Sequence, residues 1–406
     1  MTAKPLNIGI AGAGIGGLAA AALLARAGHR VEVHDRFARP APVGSGLVVQ
    51  PVGRRVLAVL GIEEAALAQG QILSSLLGTS VETDGPVLVA AYGRTPATKG
   101  LALHRSVLFD LLLRAAQDAG ARLVPSSEIT GHTITGTREH RFTLATGDSP
   151  PYDLLIDASG AGSRLSPLRH RILPFGAIWA TVDWVPGKFP VDQLTQRYHY
   201  ASRMMGVLPI GTPAGATGPK AALFWSLPRD GYDDWRQTGL AAWRDTARTH
   251  WPEAAAYAEQ ISDPDQFTMA RYAHGTLLNP VRDGIVHIGD AAHRTSPQLG
   301  QGANMALLDA HALAQALALH PHNLPDALRS YALMRRTHVW GYQALSAMFT
   351  PQYQSDSRAL AHLRNRVLYP LSRLWPVPAL LARLVQGDLL PPAAGLPRKT
   401  AQVAKS

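Results

Sequence analysis

The stretch Leu6 to Arg36, LNIGIAGAGIGGLAAAALLARAGHRVEVHDR, constrains the chain most. A short apolar run (Ile8, Ile10, Ala11) reads as a buried strand, Gly12-x-Gly14-x-x-Gly17 opens a helix, and Val31-Glu32-Val33 reads as a second strand. This is a βαβ unit, the seed of an α/β fold with a Rossmann-like domain. Gly12 suits the tight turn, Gly14 lets backbone approach a pyrophosphate, and Gly17 lets helix and strand pack closely. The helix start at Ile15 and Gly16 faces the phosphate charge. Asp35, ending the second strand, can accept from a ribose hydroxyl, and Arg36 beside it is a further candidate for the nucleotide end. A lone GxGxxG is weak evidence, but here strand, helix and downstream acid all accompany it.

With 406 residues and 46% apolar content, the chain can bury a sizeable core and is expected to form two domains with a helical appendage. No apolar run reaches the roughly 18 residues of a membrane span. MTAKP leads directly into the first strand, so a cytoplasmic protein without a signal peptide is expected. The absence of cysteine excludes disulfides, a thiolate nucleophile and Cys-ligated metals. The histidines lack metal-ligand spacing, so no metal is expected, and no GxSxG elbow is present. Chemistry therefore falls to other side chains or to a cofactor. The formal charge of +10 resembles a nucleic-acid signal until it is mapped: residues 331–406 hold ten Lys/Arg against Asp356 and Asp388, a formal +8. No nucleic-acid partner is expected.

Residues 37–53 are rich in Pro and Gly (Pro40, Pro42, Gly44, Gly46, Pro51) and read as a loop crossing a ligand site. His104-Arg105 begins a helix, from whose entry Arg105 can reach an anionic cofactor; a solvated helix charge is the alternative. An apolar strand from Tyr152 to Ala158 runs into a second Gly-rich turn, residues 159–164. Composition shifts near Leu173, where strand-like segments alternate with Pro/Gly turns, and six of the eight tryptophans follow by residue 251. Ile285-Val-His-Ile288 returns as a strand, followed by Gly289-Asp290-Ala291-Ala292-His293, Pro297-x-x-Gly300-Gln301-Gly302, and a long helix from Ala303. The expected division is 1–172 and 279–350 for a nucleotide-binding domain in two parts, 173–278 for a mainly antiparallel substrate domain, and 351–406 for C-terminal helices with a frayed tail from Pro391. In those helices Leu360, Leu363, Val367, Leu371 and Leu374 give one apolar face, with Arg364, Arg366 and Arg373 at its flanks. This face is expected to pack on its own protein rather than on an anionic membrane surface.

With both glycine segments in hand, the chain resembles the class A flavoprotein monooxygenases, the group of para-hydroxybenzoate hydroxylase, over nearly its whole length. The most specific part is GDAAHRTSPQLGQGANMALLDA, residues 289–310. The resemblance implies FAD, with Gly289-Asp290 at the ribityl chain, Pro297 beside the isoalloxazine, and backbone N–H groups of Gly300, Gln301 and Gly302 on its ring. The helix start at Ala303 would stabilise negative charge on reduced flavin, and Asn304 in its first turn is expected to face the same ligand. Arg105 and the Gly46-to-Pro51 segment match positions near the cofactor, and His293 matches the loop scaffold. The implied activity is oxygenation through a flavin C4a-hydroperoxide, hydroxylating or epoxidising an aromatic or other electron-rich small molecule with O2, and with NADH or NADPH as reductant. No residue is assigned to catalysis directly. Trp179, Tyr198, Arg203, Met205 and Trp225 are candidates for the substrate wall. Alternatives are a reductase or halogenase of the same fold, although the halogenase Trp-x-Trp-x-Ile-Pro segment is missing, an NAD-linked dehydrogenase, or a flavin-binding protein without turnover. One departure stands out: the strand ending near Ala158 normally leads into Asp-Gly, and here the position is Ser159, with Asp157 as a possible substitute one pleat deeper. Direct reduction by NAD(P)H is therefore expected from the resemblance alone, with a separate reductase as the alternative.

Overall fold

The structure, a computed structural model, describes residues 4–39, 44–135, 139–282 and 284–392, together with Leu396. Pro40, Pro42 and nearly all of the expected tail lie outside the described residues.

The first strand, Asn7–Ala11, lies at the centre of a six-stranded sheet, parallel to Arg30–His34 on one side and Leu154–Asp157 on the other. Arg122–Val124 and Ile285–His287 extend it in parallel, and Val281–Arg282 adds an antiparallel edge. Ile8, Ile10, Leu155, Ile156 and Val286 have no solvent exposure, as expected for strands covered on both faces. The helix Ile15–Arg26 is buried from Gly16 to Leu24, because its run of Ala and Leu fits between the helices Arg105–Asp118 and Gly302–Leu319. Both glycine turns therefore follow adjacent parallel strands at the same carboxyl edge, where open α/β sheets bind ligands.

An eight-stranded sheet stands beside it, in the order 293–294, 268–276, 171–183, 220–228, 203–209, 193–199, 75–80, 86–91. All its neighbours pair antiparallel except Ser75–Ser80 with Gln193–His199. Two of its strands thus come from within residues 1–172, so a division at residue 172 follows chain order rather than space. One face carries Met205, Val207 and Trp225 against Trp235, Trp243, Trp251 and Phe267 from the following helices and loops. The other carries Met204, Phe224, Trp179 and Tyr198 toward Val48, Tyr92 and Tyr353.

The helix Leu324–Tyr353 runs on into the C-terminal helices Arg358–Leu363, Tyr369–Ser372 and Val377–Gln386, the first two joined by a π turn, Arg364–Leu368. Here the structure departs from the sequence reading. Leu363, Val367, Leu371 and Leu374 are exposed, while Arg364, expected at the flank, is buried. Among the described residues, no helix is long and apolar enough to cross a membrane.

Candidate cofactor cleft and substrate face

At the nucleotide end, Gly12 has φ +97°, and a Cβ there would come within 2.7 Å of the Ala158 carbonyl oxygen and the Ser159 Cα, so the two glycine turns touch through this position. A Cβ on Gly17 would lie 2.0 Å from the Gly12 carbonyl oxygen, whereas one on Gly14 would meet nothing within 4 Å. Gly16 packs beside Ala306 of the second long helix. The helix start at Gly14-Ile15 has no capping side chain and no acidic residue in its first turn, so its N–H groups suit an anion. Asp35 accepts from the Ala13 N–H at 2.9 Å and the Phe37 N–H at 3.0 Å, which fixes the glycine loop and leaves lone pairs for a hydroxyl. Arg36 is exposed, its guanidinium 4.6 Å from the Phe37 ring centre.

At the other end, Gly289 has φ +58° and donates its N–H to Asp309 Oδ2 at 2.9 Å. His293 Nε2 lies 2.6 Å from the same oxygen, and Arg335 Nε donates to Asp309 Oδ1 at 2.7 Å. Burial opposes the charge on Asp309, but His293 and Arg335 outweigh it and hold the carboxyl well below the usual carboxylate range. His293 is therefore a structural member of this cluster. Asp309 and Arg335 were missed in the sequence because a single acid within a helix carries no signal of its partners.

Asp290 and Arg105 share an unusual setting. Each side chain is solvent-exposed, yet burial by surrounding protein is the largest influence on each, raising the Asp290 pKa and lowering that of Arg105, with their mutual attraction opposing it. The two side chains thus sit within reach of each other's charge at the solvent-facing side of the Gly289 turn. Among the described residues no hydrogen bond forms to the Asp290 carboxylate, so it remains available as an acceptor. Arg105 is anchored by its own N–H donating to the Ser45 carbonyl at 2.8 Å. Its charge also acts on Tyr272, whose hydroxyl burial pushes up to about 12 and which accepts from Trp179 Nε1 at 3.0 Å. Asp290, Arg105, Tyr272 and Trp179 thus form a series of interacting side chains from the Gly289 turn to the eight-stranded sheet.

The exposed Pro297 opens a short turn, Pro297–Leu299, that closes at Gly300 with φ +60°. The helix Gly302–Leu319 then starts at Gly302-Ala303, again with no side-chain cap and no acid in its first turn. That uncapped start fits an electron-rich ring edge. Of two buried side chains here, Asn304 does not face a ligand as expected, while Gln301 leaves its backbone free as expected. Gln301 is buried and donates to the Val385 carbonyl at 3.1 Å, leaving its backbone to the site. Asn304 is fully buried: its Oδ1 accepts from the Gln50 N–H at 2.8 Å, and its Nδ2 donates to the Gly300 carbonyl at 2.8 Å and the Val48 carbonyl at 3.1 Å. Asn304 therefore clamps the loop to the strand Gly46–Val49. Gly46 is a packing position, since a Cβ there would come within 2.7 Å of Ala222 and Ile210 side-chain atoms.

Asp157 is not a substitute for the missing acid at Ser159. It is fully buried and accepts from the Ser159 hydroxyl at 2.6 Å, the Ser159 N–H at 3.1 Å and the Ser163 hydroxyl at 2.7 Å, with His287 Nδ1 at 2.8 Å. Burial works against its charge, but these hydrogen bonds hold its pKa below the usual value. The Ser159 hydroxyl, expected to reach a phosphate or ribose, is turned back onto this acid.

On the eight-stranded sheet, the expected wall divides between two faces. Trp179, stacked on Phe224 with ring centres 4.3 Å apart, and Tyr198 lie on the face toward Tyr92. Met205 and Trp225 lie on the opposite face under the helices, with Arg203 over Trp225 at 5.7 Å. Arg203, Met205 and Trp225 thus do not share a face with Trp179 and Tyr198, whereas the neighbours Met204 and Phe224 do, since a one-residue step along a strand reverses the face. Gly206 makes room for Phe224, whose ring would come within 2.0 Å of a Cβ there. Gln50, which accepts from the Tyr92 hydroxyl at 2.6 Å and reaches Gly300 with its Nε2, is a polar group at the junction.

Comparison with known proteins agrees with this geometry. A family model described as an FAD binding domain matches residues 6–346, a span that includes both glycine turns and all of the eight-stranded sheet. The chain is 29% identical over 365 residues to 3-amino-4-hydroxybenzoate 2-monooxygenase of Streptomyces cremeus, covering 82% of this chain and 84% of that protein. It is 27% identical to hispidin-3-hydroxylase of Neonothopanus nambi, covering 89% and 93%. Among solved structures, 2-methyl-3-hydroxypyridine-5-carboxylic acid oxygenase superposes with a TM-score of 0.75 at 23% identity, covering 91% of this chain and 98% of that one. The two uncapped helix starts and this match over most of the chain lead to one conclusion: the chain belongs to the FAD binding domain family, among the class A flavoprotein monooxygenases.

Proposed function

We propose that this FAD-dependent monooxygenase hydroxylates a flat aromatic small molecule held against Trp179, Phe224, Met204 and Tyr198. The observation that carries the reading is the exposed Asp290 carboxylate beside Arg105, together with two helix starts, at Gly14-Ile15 and Gly302-Ala303, that carry neither a capping side chain nor an acid. Bound FAD supplies activation of O2 and insertion of one oxygen atom.

The residues of the chain do the rest. Gly12 to Gly17 and the helix start take the pyrophosphate, Asp35 a ribose hydroxyl and Arg36 the adenine end, while Arg105, beside Asp290, offers its charge to an anionic group there. Asp290 accepts from the ribityl chain. Pro297 and the backbone of Gly300 to Ala303 lie along the ring, with Gln301 and Asn304 holding that backbone from behind. The stacked Trp179 and Phe224 orient an aromatic substrate and exclude water. The relatives' names point the same way, since one is named for monooxygenation of 3-amino-4-hydroxybenzoate and the other for hydroxylation of hispidin.

The reductant is NADH or NADPH. Ser159 in place of a carboxylate removes a repulsion toward pyrophosphates, and its bond to Asp157 keeps the turn in shape.

The test is oxygen consumption by the FAD-loaded protein with NADH or NADPH across a panel of hydroxylated and amino-substituted aromatic acids. Substrate-dependent uptake with stoichiometric hydroxylated product is expected. Uptake that yields only hydrogen peroxide with every substrate would favour an oxidase or reductase. Anaerobic mixing separates the reductant from the rest: flavin that no nicotinamide bleaches, but that a partner reductase turns over, removes direct reduction.

A further inference from the structure

The C-terminal rod from Arg358 to Ser372 is amphipathic in reverse. Its inner side carries Arg364, whose Nη1 donates to the Gln352 carbonyl at 2.8 Å and Nη2 to the Tyr200 carbonyl at 2.9 Å. The same guanidinium lies 5.0 Å from the ring centre of Tyr198 and 5.1 Å from that of Tyr353. Its outer side carries Leu363, Val367, Leu371 and Leu374, continued by Trp375, which is 87% exposed, and Leu380 on the next helix. The π turn at Arg364–Leu368 holds residues four apart nearly in line, which joins these side chains into one ridge. A rod that fastens one arginine inside the protein and leaves its leucines in water beside exposed arginines is built for a partner with an apolar part.

Charge identifies that partner. Between Asp356 and Asp388 the chain carries five arginines and no acidic residue. Apart from Arg364 they are exposed: Arg358, Arg366, Arg373 and Arg383. An apolar ridge with an exposed tryptophan and flanking arginines matches an interface whose interior is hydrocarbon and whose headgroups are anionic. A second copy of this chain fits poorly, because a two-fold contact would bring the same arginines together with no acid on the patch to meet them.

We propose that the outer face of residues 358–386 docks on an anionic lipid bilayer surface. The rod is tied through Arg364 to Tyr198, so docking holds the aromatic face close to a phase that concentrates apolar molecules. That consequence rests on the proposed function; the docking does not.

The experiment is co-sedimentation of the full chain, flavin-loaded, with vesicles of phosphatidylcholine containing phosphatidylglycerol and with vesicles of phosphatidylcholine alone. Binding to the anionic vesicles at low salt is expected, falling by about tenfold or more in high salt. The pair Leu371→Ser and Trp375→Ser should lower binding by about tenfold or more, and the pair Arg366→Gln and Arg373→Gln should remove the preference for anionic lipid. All four positions are exposed, so unchanged circular dichroism and flavin content confirm that the variants fold. Failure to sediment at low salt overturns the proposal, as does binding that neither pair alters. A dimer in ultracentrifugation that the apolar pair dissociates, with no vesicle binding, also overturns it and assigns the ridge to a second copy.

Discussion

The glycine turns and the eight-stranded sheet both carry candidate site residues, but they encode their work differently. At the turns the chain acts through backbone, and what matters is where a side chain is absent. Gly14 is open and Gly17 is packed against backbone, and both facts follow from local spacing. On the sheet the chain acts through side chains, and what matters is which face each one takes. Met204 and Met205, or Phe224 and Trp225, are neighbours of similar chemistry with opposite fates. Face is set by register with distant strands, which a local motif does not record. A third kind of residue supports both regions: the buried acids Asp157 and Asp309, each holding a turn from beneath.

The largest effect should come from that support. Replacing Asp309 by Asn leaves the buried Arg335 guanidinium without its counter-ion, which costs about 3–5 kcal/mol in stability. Urea unfolding measures it. A loss below about 1 kcal/mol would mean that Arg335 finds another partner and that the Gly289 turn does not depend on this acid.

The glycine turn gives a sharper contrast. Gly17→Ala forces backbone apart and should destabilise the flavin-free protein by about 1–3 kcal/mol. Gly14→Ala meets no protein atom and should leave flavin-free stability within about 0.5 kcal/mol while weakening FAD binding. Asp290→Ala belongs with the second class: loss of one charged acceptor, about 1–3 kcal/mol, weakens FAD binding roughly ten- to a hundred-fold. Melting curves with and without FAD separate the two classes. Equal behaviour of Gly14 and Gly17 would dissolve the distinction between an open and a packed glycine.

A smaller effect concerns His338, which sits behind the ring end beside Arg335 with its Nε2 2.9 Å from the Gly387 carbonyl. Burial, reinforced by Arg335, lowers its pKa from 6.5 to about 3. The unfolded chain therefore binds this proton below about pH 6.5 and the folded chain only near pH 3, so this contribution to stability is full above pH 6.5 and lost as pH falls. The slope is up to about 1.4 kcal/mol per pH unit. His338→Gln can keep the bond to Gly387 and should flatten the dependence between pH 6 and pH 4, read by denaturant unfolding at several pH values. An unchanged slope would assign the acid sensitivity to other groups.

The glycine turn at the nucleotide end was legible in the sequence, because Gly12, Gly14 and Gly17 are specified by spacing and backbone need, whereas Asp290 and Pro297 were named only through the resemblance to a family. Asn304 was legible in place but not in direction, and for Gln301 only the backbone was read. Each sits at the start of the helix that meets the ring, yet each side chain turns to a segment distant in sequence, Val48 and Gln50 for one and Val385 for the other. Asp157 was visible only as an acid near a missing acid, and its three neighbouring donors come together only when the strand, the turn and His287 are folded. The outward leucines of the C-terminal rod were misplaced for a related reason. Their periodicity states that they share a face, and only the anchoring of Arg364 states which way that face turns.

The smallest expected effect tests the sheet most directly. Met204 and Met205 are adjacent on one strand and both buried, one toward the cluster of Trp179 and Tyr198 and the other under the tryptophans beneath the helices. Leu conserves the volume of Met, so either replacement should cost less than about 1.5 kcal/mol and leave the fold intact. Their consequences for turnover should differ, because a wall residue positions substrate and a residue behind the sheet does not. Met204→Leu should shift the substrate KM severalfold or raise the fraction of oxygen released as peroxide, since a stiffer side chain re-seats the ring against Phe224. Met205→Leu should leave both unchanged. Steady-state kinetics with product quantification decides it. If Met205 carries the effect, the substrate lies on the helix-covered side of the sheet, the original reading of Met205 and Trp225 as substrate wall is restored, and the site at Asp290 and Arg105 must reach that face by a route other than Trp179 and Tyr272.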